Sequence, residues 1–518
     1  MTGRGYIAID LGAESGRVIV GTLAGSGPDA MRLELHELHR FVHLPVPIPG
    51  GGLGWNIEHI WNEIRRGLRI AAERAKLREG QGGHGDWGRL VSIGVDTWGV
   101  DFALVDDSGE LLAPPRCYRD SRHASGMTML GERIGFAKLF EMTGVQEAPI
   151  NTSSQLAGAL AEGDDAPRRA ARILLMPSYF QFLLSGIGLN ESSMASTTQL
   201  LDASSPAPGR WSGPVLETVG VSEYALGDLI DSGTPIGPLK PEIAGQTGLS
   251  PETIVVAPAS HDTASAIAAV PAIGDDWIFI SSGTWSLMGA EVRAPVLSAQ
   301  AHDADFTNER GARGEATFRC QKNLIGLWIV QELRHDLERR GTLLDYAELA
   351  ALAAAAAPFR TRLSAGHTPL ASPGDFIAKI QAFARNAGDP EPTTPGELVR
   401  CCLESLAMEY RRCLEQLEAL LGRRFGTIHI VGGGCRNTLL CQMAADATDR
   451  RVLAGPVEAT AAGNVLVQAA ADSQSGVAWD DIRGITARSF ELVEYTPGAP
   501  VRWDSEYARY RELWESNR

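Results

Sequence analysis

YIAIDLGAESGRVIV (residues 6–20) and WIFISSGTWSLMGA (residues 277–290) are built on one plan. Each is an apolar, β-branched run, then a small polar turn containing glycine, then a second apolar run. That is the pattern of a β-hairpin. Aligned, Asp10-Leu11-Gly12 falls on Ser281-Ser282-Gly283. A unit repeated about 270 residues apart predicts two similarly built domains. VSIGVDTWGVDFALVDDSG (residues 91–109) reads as a third hairpin, with Asp107-Ser108-Gly109 as its turn.

Between these segments lie helical patterns. Asn56 is a candidate N-cap for a helix from Ile57 to about Lys76. Leu403, Leu406, Tyr410, Leu414, Leu417 and Leu421 recur at helical spacing, and Gly422 follows as a stop. The alanine-rich run 349–357 reads as a helix ended by Pro358. A strand at 427–431, a triple glycine at 432–434 and a helix over 438–448 come next. Strands mixed with long helices define an α/β fold. Segments 203–215 and 231–251 are rich in Pro, Gly and Ser. The second is taken as the domain boundary, giving domains 1–248 and 249–518.

The chain has 518 residues, too many for one ordinary domain, and a 44% apolar share that excludes general disorder. Its formal charge is 47 − 63 = −16, which argues against nucleic acid or an anionic membrane as the main partner. A small anion remains compatible, because a few backbone N–H groups hold phosphate locally. MTGRGYIAID lacks a signal-peptide pattern, and seven cysteines without a C-x-x-C pair fit a reducing compartment; both point to the cytoplasm. The glycosylation patterns at Asn151 and Asn190 are then chance matches.

Chemistry concentrates in three places. Asp10 ends an apolar strand before Gly12 and Gly16, which let the backbone turn and bring N–H groups to an anion. Two such hairpins facing one another across a cleft would clamp a polyphosphate, with Asp10 placed for hydrated Mg²⁺ and Glu14 required to point away. In APASHDTASA (257–266), a strand leads to His261-Asp262-Thr263 and a small-residue helix. The helix N-terminus stabilises the Asp262 carboxylate, which reads as an N-cap or as a base for an attacking hydroxyl. In IHIVGGGCRN (428–437), three glycines exceed what a tight turn needs and suggest a flat ligand such as adenine. The literal G-x-G-x-x-G at 83–88 precedes a strand and is discarded. No P-loop motif occurs. His36, His39 and His43 read as surface histidines rather than metal ligands.

DLGAESGR, GVDTWGVDF, YRDSR, ASHDTASA, SSGTWSLMG, KNLIGLW, VGGGCRNTLL and AGPVEATAAGN together resemble the FGGY carbohydrate kinases, over most of the chain. The resemblance implies two actin-like, ribonuclease-H-like domains flanking a deep cleft, the first on the sugar side and the second on the ATP side. It implies an ATP:sugar phosphotransferase needing Mg²⁺, working on a small-molecule sugar and ATP as a monomer or homodimer. TWGVDF, HDTASA and SSGTWSLMG point within the family to the C1 hydroxyl of L-rhamnulose, in L-rhamnose catabolism. Another ketose (L-fuculose or xylulose) is the alternative, and an actin-like nucleotide switch a more distant one. Matched residue by residue, Asp262 is the catalytic base. Ala13, Glu14, Ser15, Gly16 and Arg17 form the first phosphate loop, with Thr284 in the second; Gln331 and Gly433 contact nucleotide. Gly99, His261, Asp262, Thr263 and Asn323 line the sugar pocket, with Asp101, Arg119 and Asp120 as weaker candidates. Asp10 and Asp262 hold the metal through water. Glu14, where other members can carry Ser, departs from the pattern.

Overall fold

The computed structural model describes residues 3–25, 27, 29–79, 87–312, 317–365, 370, 372–498 and 500–516. Most of the discarded glycine motif at 83–88 lies outside them. The chain divides into two compact units. The first comprises Met1–Pro271, Glu291–Cys320 and Ala459–Ser489; the second comprises Ala272–Ala290, Gln321–Glu458 and Phe490–Arg518.

The first unit is built on a six-stranded sheet in the order Pro235–Pro238, Ile254–Val256, Arg89–Thr97, Arg4–Leu11, Ser15–Ala24, Arg32–Val42. Arg4–Leu11 runs antiparallel to Ser15–Ala24 and parallel to Arg89–Thr97, with Asp10 opposite Arg17 on one side and Asp96 on the other. Tyr6 to Leu11 are all buried, as a strand covered on both faces requires. One cover is the helix Ile57–Glu79, whose Gly67 leaves room for Val18; the other is Ala459–Ala471, whose Val465 fills the space over Gly21. Residues 18 and 21 differ in parity, so these helices lie on opposite faces. Asn56 caps the first helix, accepting from the His59 N–H at 3.0 Å.

The second unit repeats the plan. Trp277–Ser282 runs antiparallel to Trp285–Val292 and parallel to Thr427–Val431, with Arg451–Ala454 and Val493–Tyr495 beyond. The helix Pro395–Leu421 begins with a reciprocal Thr394–Glu397 capping box and ends at Gly422, whose φ of 65° suits glycine. The seven cysteines are buried and unpaired by disulfides. Among the described residues, no helix is long and apolar enough to cross a membrane.

Two expectations change. Residues 91–109 are not one hairpin: Arg89–Thr97 joins the six-stranded sheet, whereas Phe102–Val105 pairs with Arg172–Leu175. The turn at Asp106–Glu110 does form, but it returns the chain only to a single bridge between Val105 and Leu111. The break falls at Val100, a β-branched residue held at φ 67°. Secondly, segment 231–251 is no boundary. Pro235–Pro238 pairs with Ile254–Val256, which pairs with Arg89–Thr97, so the first unit runs on to Pro271 and includes Asp262.

Candidate active site

In the first unit, strand register sets two carboxylates side by side. Asp10 and Asp96 are partners on adjacent parallel strands, and Arg17, across the hairpin, pairs with Asp10. Asp96 is wholly buried; its Oδ2 accepts from Asn464 Nδ2 at 2.5 Å, and its Oδ1 has no hydrogen-bond partner. Burial, then the charges of Asp10 and Asp262, push its carboxyl well above the usual range. Sequence reasoning missed Asp96, although VSIGVD and YIAID show the same apolar run ending in aspartate.

The hairpin turn is closed by Gly12 N–H donating to Ser15 O at 3.0 Å. A Cβ on Gly16 would lie 2.3 Å from the Phe41 ring, so close packing demands glycine there. Glu14 is about half exposed and lies 3.7 Å from Arg119. His43 differs from expectation. It is buried beside Trp55 and Trp98, its N–H bonds Glu14 O, and burial pushes its pKa down to about 4. The sequence cue of alternation could not show that the position just after the strand Arg32–Val42 was covered. Asn190 is also fully buried, which bars glycosylation of the folded chain there.

Asp262 opens the helix Asp262–Ala268, with His261 preceding it. Its Oδ1 accepts from the Thr263 N–H at 2.5 Å and the Thr263 hydroxyl at 3.2 Å. Burial raises its pKa, against the charge of His261; nearby Asp10 raises it further, and the Thr263 bonds oppose. The preceding turn is pinned by Glu191, which accepts from Ser260 N–H, while His261 N–H donates to Ser193 Oγ. Thr97 bridges His261, and a Cβ on Gly99 would lie 3.3 Å from His261 Nε2. Gly99, His261, Asp262 and Thr263 are therefore neighbours.

Asp101 is fully buried. It accepts from the Trp55 and Trp98 indoles at 2.6 and 2.9 Å, Gln155 at 3.0 Å and the Tyr118 N–H at 3.3 Å. Burial pushes its pKa up to about 6, against these bonds. Asp120 likewise serves the chain, accepting from Leu53 and Arg122 N–H groups and Arg116.

In the second unit, Gly283 O and Thr284 O accept from the N–H groups of Leu327 and Trp328, tying the hairpin turn to the start of Trp328–Arg339, the helix that carries Gln331. Gly432 has φ 83°, and a Cβ on Gly434 would lie 2.0 Å from Ser282 Oγ. Gly433 faces open space. Two of the three glycines thus have structural reasons, and only Gly433 is left for a ligand. Asn323 is exposed on Phe318–Ile325, a strand whose Gln321–Ile325 part belongs to this unit.

Family models for the FGGY family of carbohydrate kinases match residues 5–269 (N-terminal domain) and 278–471 (C-terminal domain). The chain belongs to this family, and its fold is the family's actin-like, ribonuclease-H-like one. It is 37% identical over 508 residues to a rhamnulokinase of Bacteroides thetaiotaomicron, covering 98% of each chain. It is also 37% identical over 519 residues to a rhamnulokinase of an Enterobacter species, covering 100% of this chain and 99% of the relative. Among solved structures, a ligand-bound xylulose kinase of Lactobacillus acidophilus matches with a TM-score of 0.74 at 14% identity, over 99% of this chain and 97% of that one. A Plasmodium falciparum glycerol kinase with ADP matches at 0.76 and 13%, over 99% and 98%.

Proposed function

We propose that this protein transfers the γ-phosphoryl group of ATP to the C1 hydroxyl of L-rhamnulose, giving L-rhamnulose 1-phosphate and ADP, in the cytoplasm. The observation that carries the chemistry is Asp262. Its carboxylate sits at a helix N-terminus beside His261, close enough to Asp10 and Asp96 for their charges to act on one another. A carboxylate raised in this way is a stronger base than one in water. Asp262 takes the proton from the C1 hydroxyl, the oxygen attacks the γ-phosphorus, and the bond to the β-phosphate oxygen breaks, leaving ADP. Gly99, His261, Thr263 and Asn323 orient the sugar. Ala13–Arg17 and Thr284 supply backbone N–H groups and charge to the phosphates, while Gln331 and Gly433 hold the nucleoside part.

The carboxylates also fit a hydrated divalent cation. Asp96 Oδ1 lacks a partner, and among the described residues no three acidic, His or Cys side chains converge to hold a bare ion. Mg²⁺ keeps most of its water and takes one or two carboxylates together with substrate phosphates. Asp10 and Asp262 would hold it through water, and it would supply charge neutralisation at the phosphates.

The test is ADP formation with L-rhamnulose, L-fuculose, D-xylulose, glycerol and no sugar. Highest kcat/KM with L-rhamnulose is expected. A preference for another ketose would reassign the substrate, and ADP formation indifferent to sugar would favour a nucleotide switch.

A further inference from the structure

We propose that Glu309 is a positioning residue for the transfer: by holding Nδ1 of His261 it turns Nε2 of that ring toward Asp262 and the space beside Gly99. The inference rests on the kinase reading above. Glu309 lies on the strand Thr307–Arg310 and Arg319 on Phe318–Ile325, both within the first unit and far in sequence from the His-Asp-Thr motif. Arg319 is wholly buried, and Glu309 Oε2 meets it at 2.7 Å. The same oxygen lies 3.0 Å from His261 Nδ1, and Arg319 Nη2 is 3.3 Å from that nitrogen. Glu309 Oε2 and Arg319 Nη2 together fix the Nδ1 edge of the ring, and with it the direction of Nε2. Nε2 lies on the opposite edge, 3.4 Å from Asp262 Oδ1. There it can share a hydrogen bond with a sugar hydroxyl beside Asp262.

The backbone and the ring of His261 are held separately. Ser193 Oγ, itself donating to Glu191 at 2.6 Å, accepts from the backbone N–H, while Glu309 holds the ring. Removing the Glu309 charge therefore frees the ring while the Ser193 and Glu191 bonds to this turn persist. The charged groups facing the ring are Glu309, Arg319 and Asp262, with Glu191 behind its backbone.

A kinetic double-mutant cycle tests this, using the full chain, Glu309→Gln, His261→Ala and the double variant. Glu309→Gln should lower kcat/KM for L-rhamnulose about tenfold and leave KM for ATP unchanged, a loss confined to the sugar side. In the His261→Ala background the same change should cost less than about twofold, because a residue acting through another loses its effect when that other is gone. Equal losses in both backgrounds, or a parallel rise in KM for ATP, would reduce Glu309 to a counter-charge for Arg319 and overturn the inference. If Glu309→Gln does not melt cooperatively, Glu309→Asp, which keeps the charge beside Arg319, replaces it in the cycle with the same expected pattern. An unmodified protein that forms no ADP with any ketose would overturn the kinase reading and this inference with it; an active protein with additive losses overturns this inference alone.

Discussion

Asp262→Asn keeps the shape of the side chain and an acceptor for Thr263 but removes the proposed base. It should fold normally, and kcat should fall by at least about a hundredfold, the usual scale of general base catalysis; an ADP-release assay beside a thermal melt reads both. Asp101 and His43 make a second, opposed pair. The Asp101 carboxyl, pushed up to about 6 by burial, keeps its proton where the unfolded chain has lost it. Its contribution to stability therefore falls as pH rises from about 4 to 6, by about 3 kcal/mol for a carboxyl displaced from 3.8. His43, pushed down to about 4 by burial, stays neutral where the unfolded chain takes a proton, so its contribution falls as pH drops from 6.5 to 4. Denaturant midpoints from pH 4 to 6.5 should show this. Relative to the unmodified protein, Asp101→Asn should gain stability as pH rises, and His43→Phe as pH falls. Matching slopes for all three proteins would contradict both shifts.

At the scale of elements, one helix crossing and one turn bear on the site. A Cβ on Gly463 would lie 1.8 Å from Ser265 O, where the helix Ala459–Ala471 meets Asp262–Ala268. Gly463→Ala must push apart the helix that carries Asp262. It should lower stability by about 1–3 kcal/mol, the usual cost of overpacking, and reduce kcat without touching substrate. Gly433 and Gly434 offer a contrast within one turn. Gly434→Ala should destabilise the second unit through its clash with Ser282, whereas Gly433→Ala, facing open space, should leave the melting temperature unchanged and raise KM for ATP. An unchanged KM in Gly433→Ala would remove that glycine from the nucleotide site. The hairpins, the later part of the long helix with its Gly422 stop and the strand–glycine–helix run were legible because period-2 patterns, helical spacing and αL glycines act over a few residues. The third hairpin misled because its two strands also read as continuous across Val100, whose φ of 67° no local rule foretells for valine.

For the whole molecule, the first unit is discontinuous in sequence. Asn464 bonds Asp96, and Gln468 bonds Ile7 O and accepts from Ser92, so the helix Ala459–Ala471 covers a sheet made of residues 4–256. A fragment ending at Pro271 should lack cooperative melting, and fusing residues 459–489 to it through a flexible linker should raise its melting temperature. Calorimetry of the two fragments checks this; a fragment 1–271 that melts like the fused form would show that the late helix is dispensable.

The local order of residues determined the two hairpins, their glycine turns and the His-Asp-Thr helix start, because each is governed by neighbours in the chain. Tertiary structure alone decided that Asp96 stands beside Asp10, that Asn464 reaches back to it across 368 positions, and that Glu309 and Arg319 meet His261. The reason is physical. Buried charges take their partners from whatever chain the packing brings within a few ångströms, and separation along the sequence does not enter that choice.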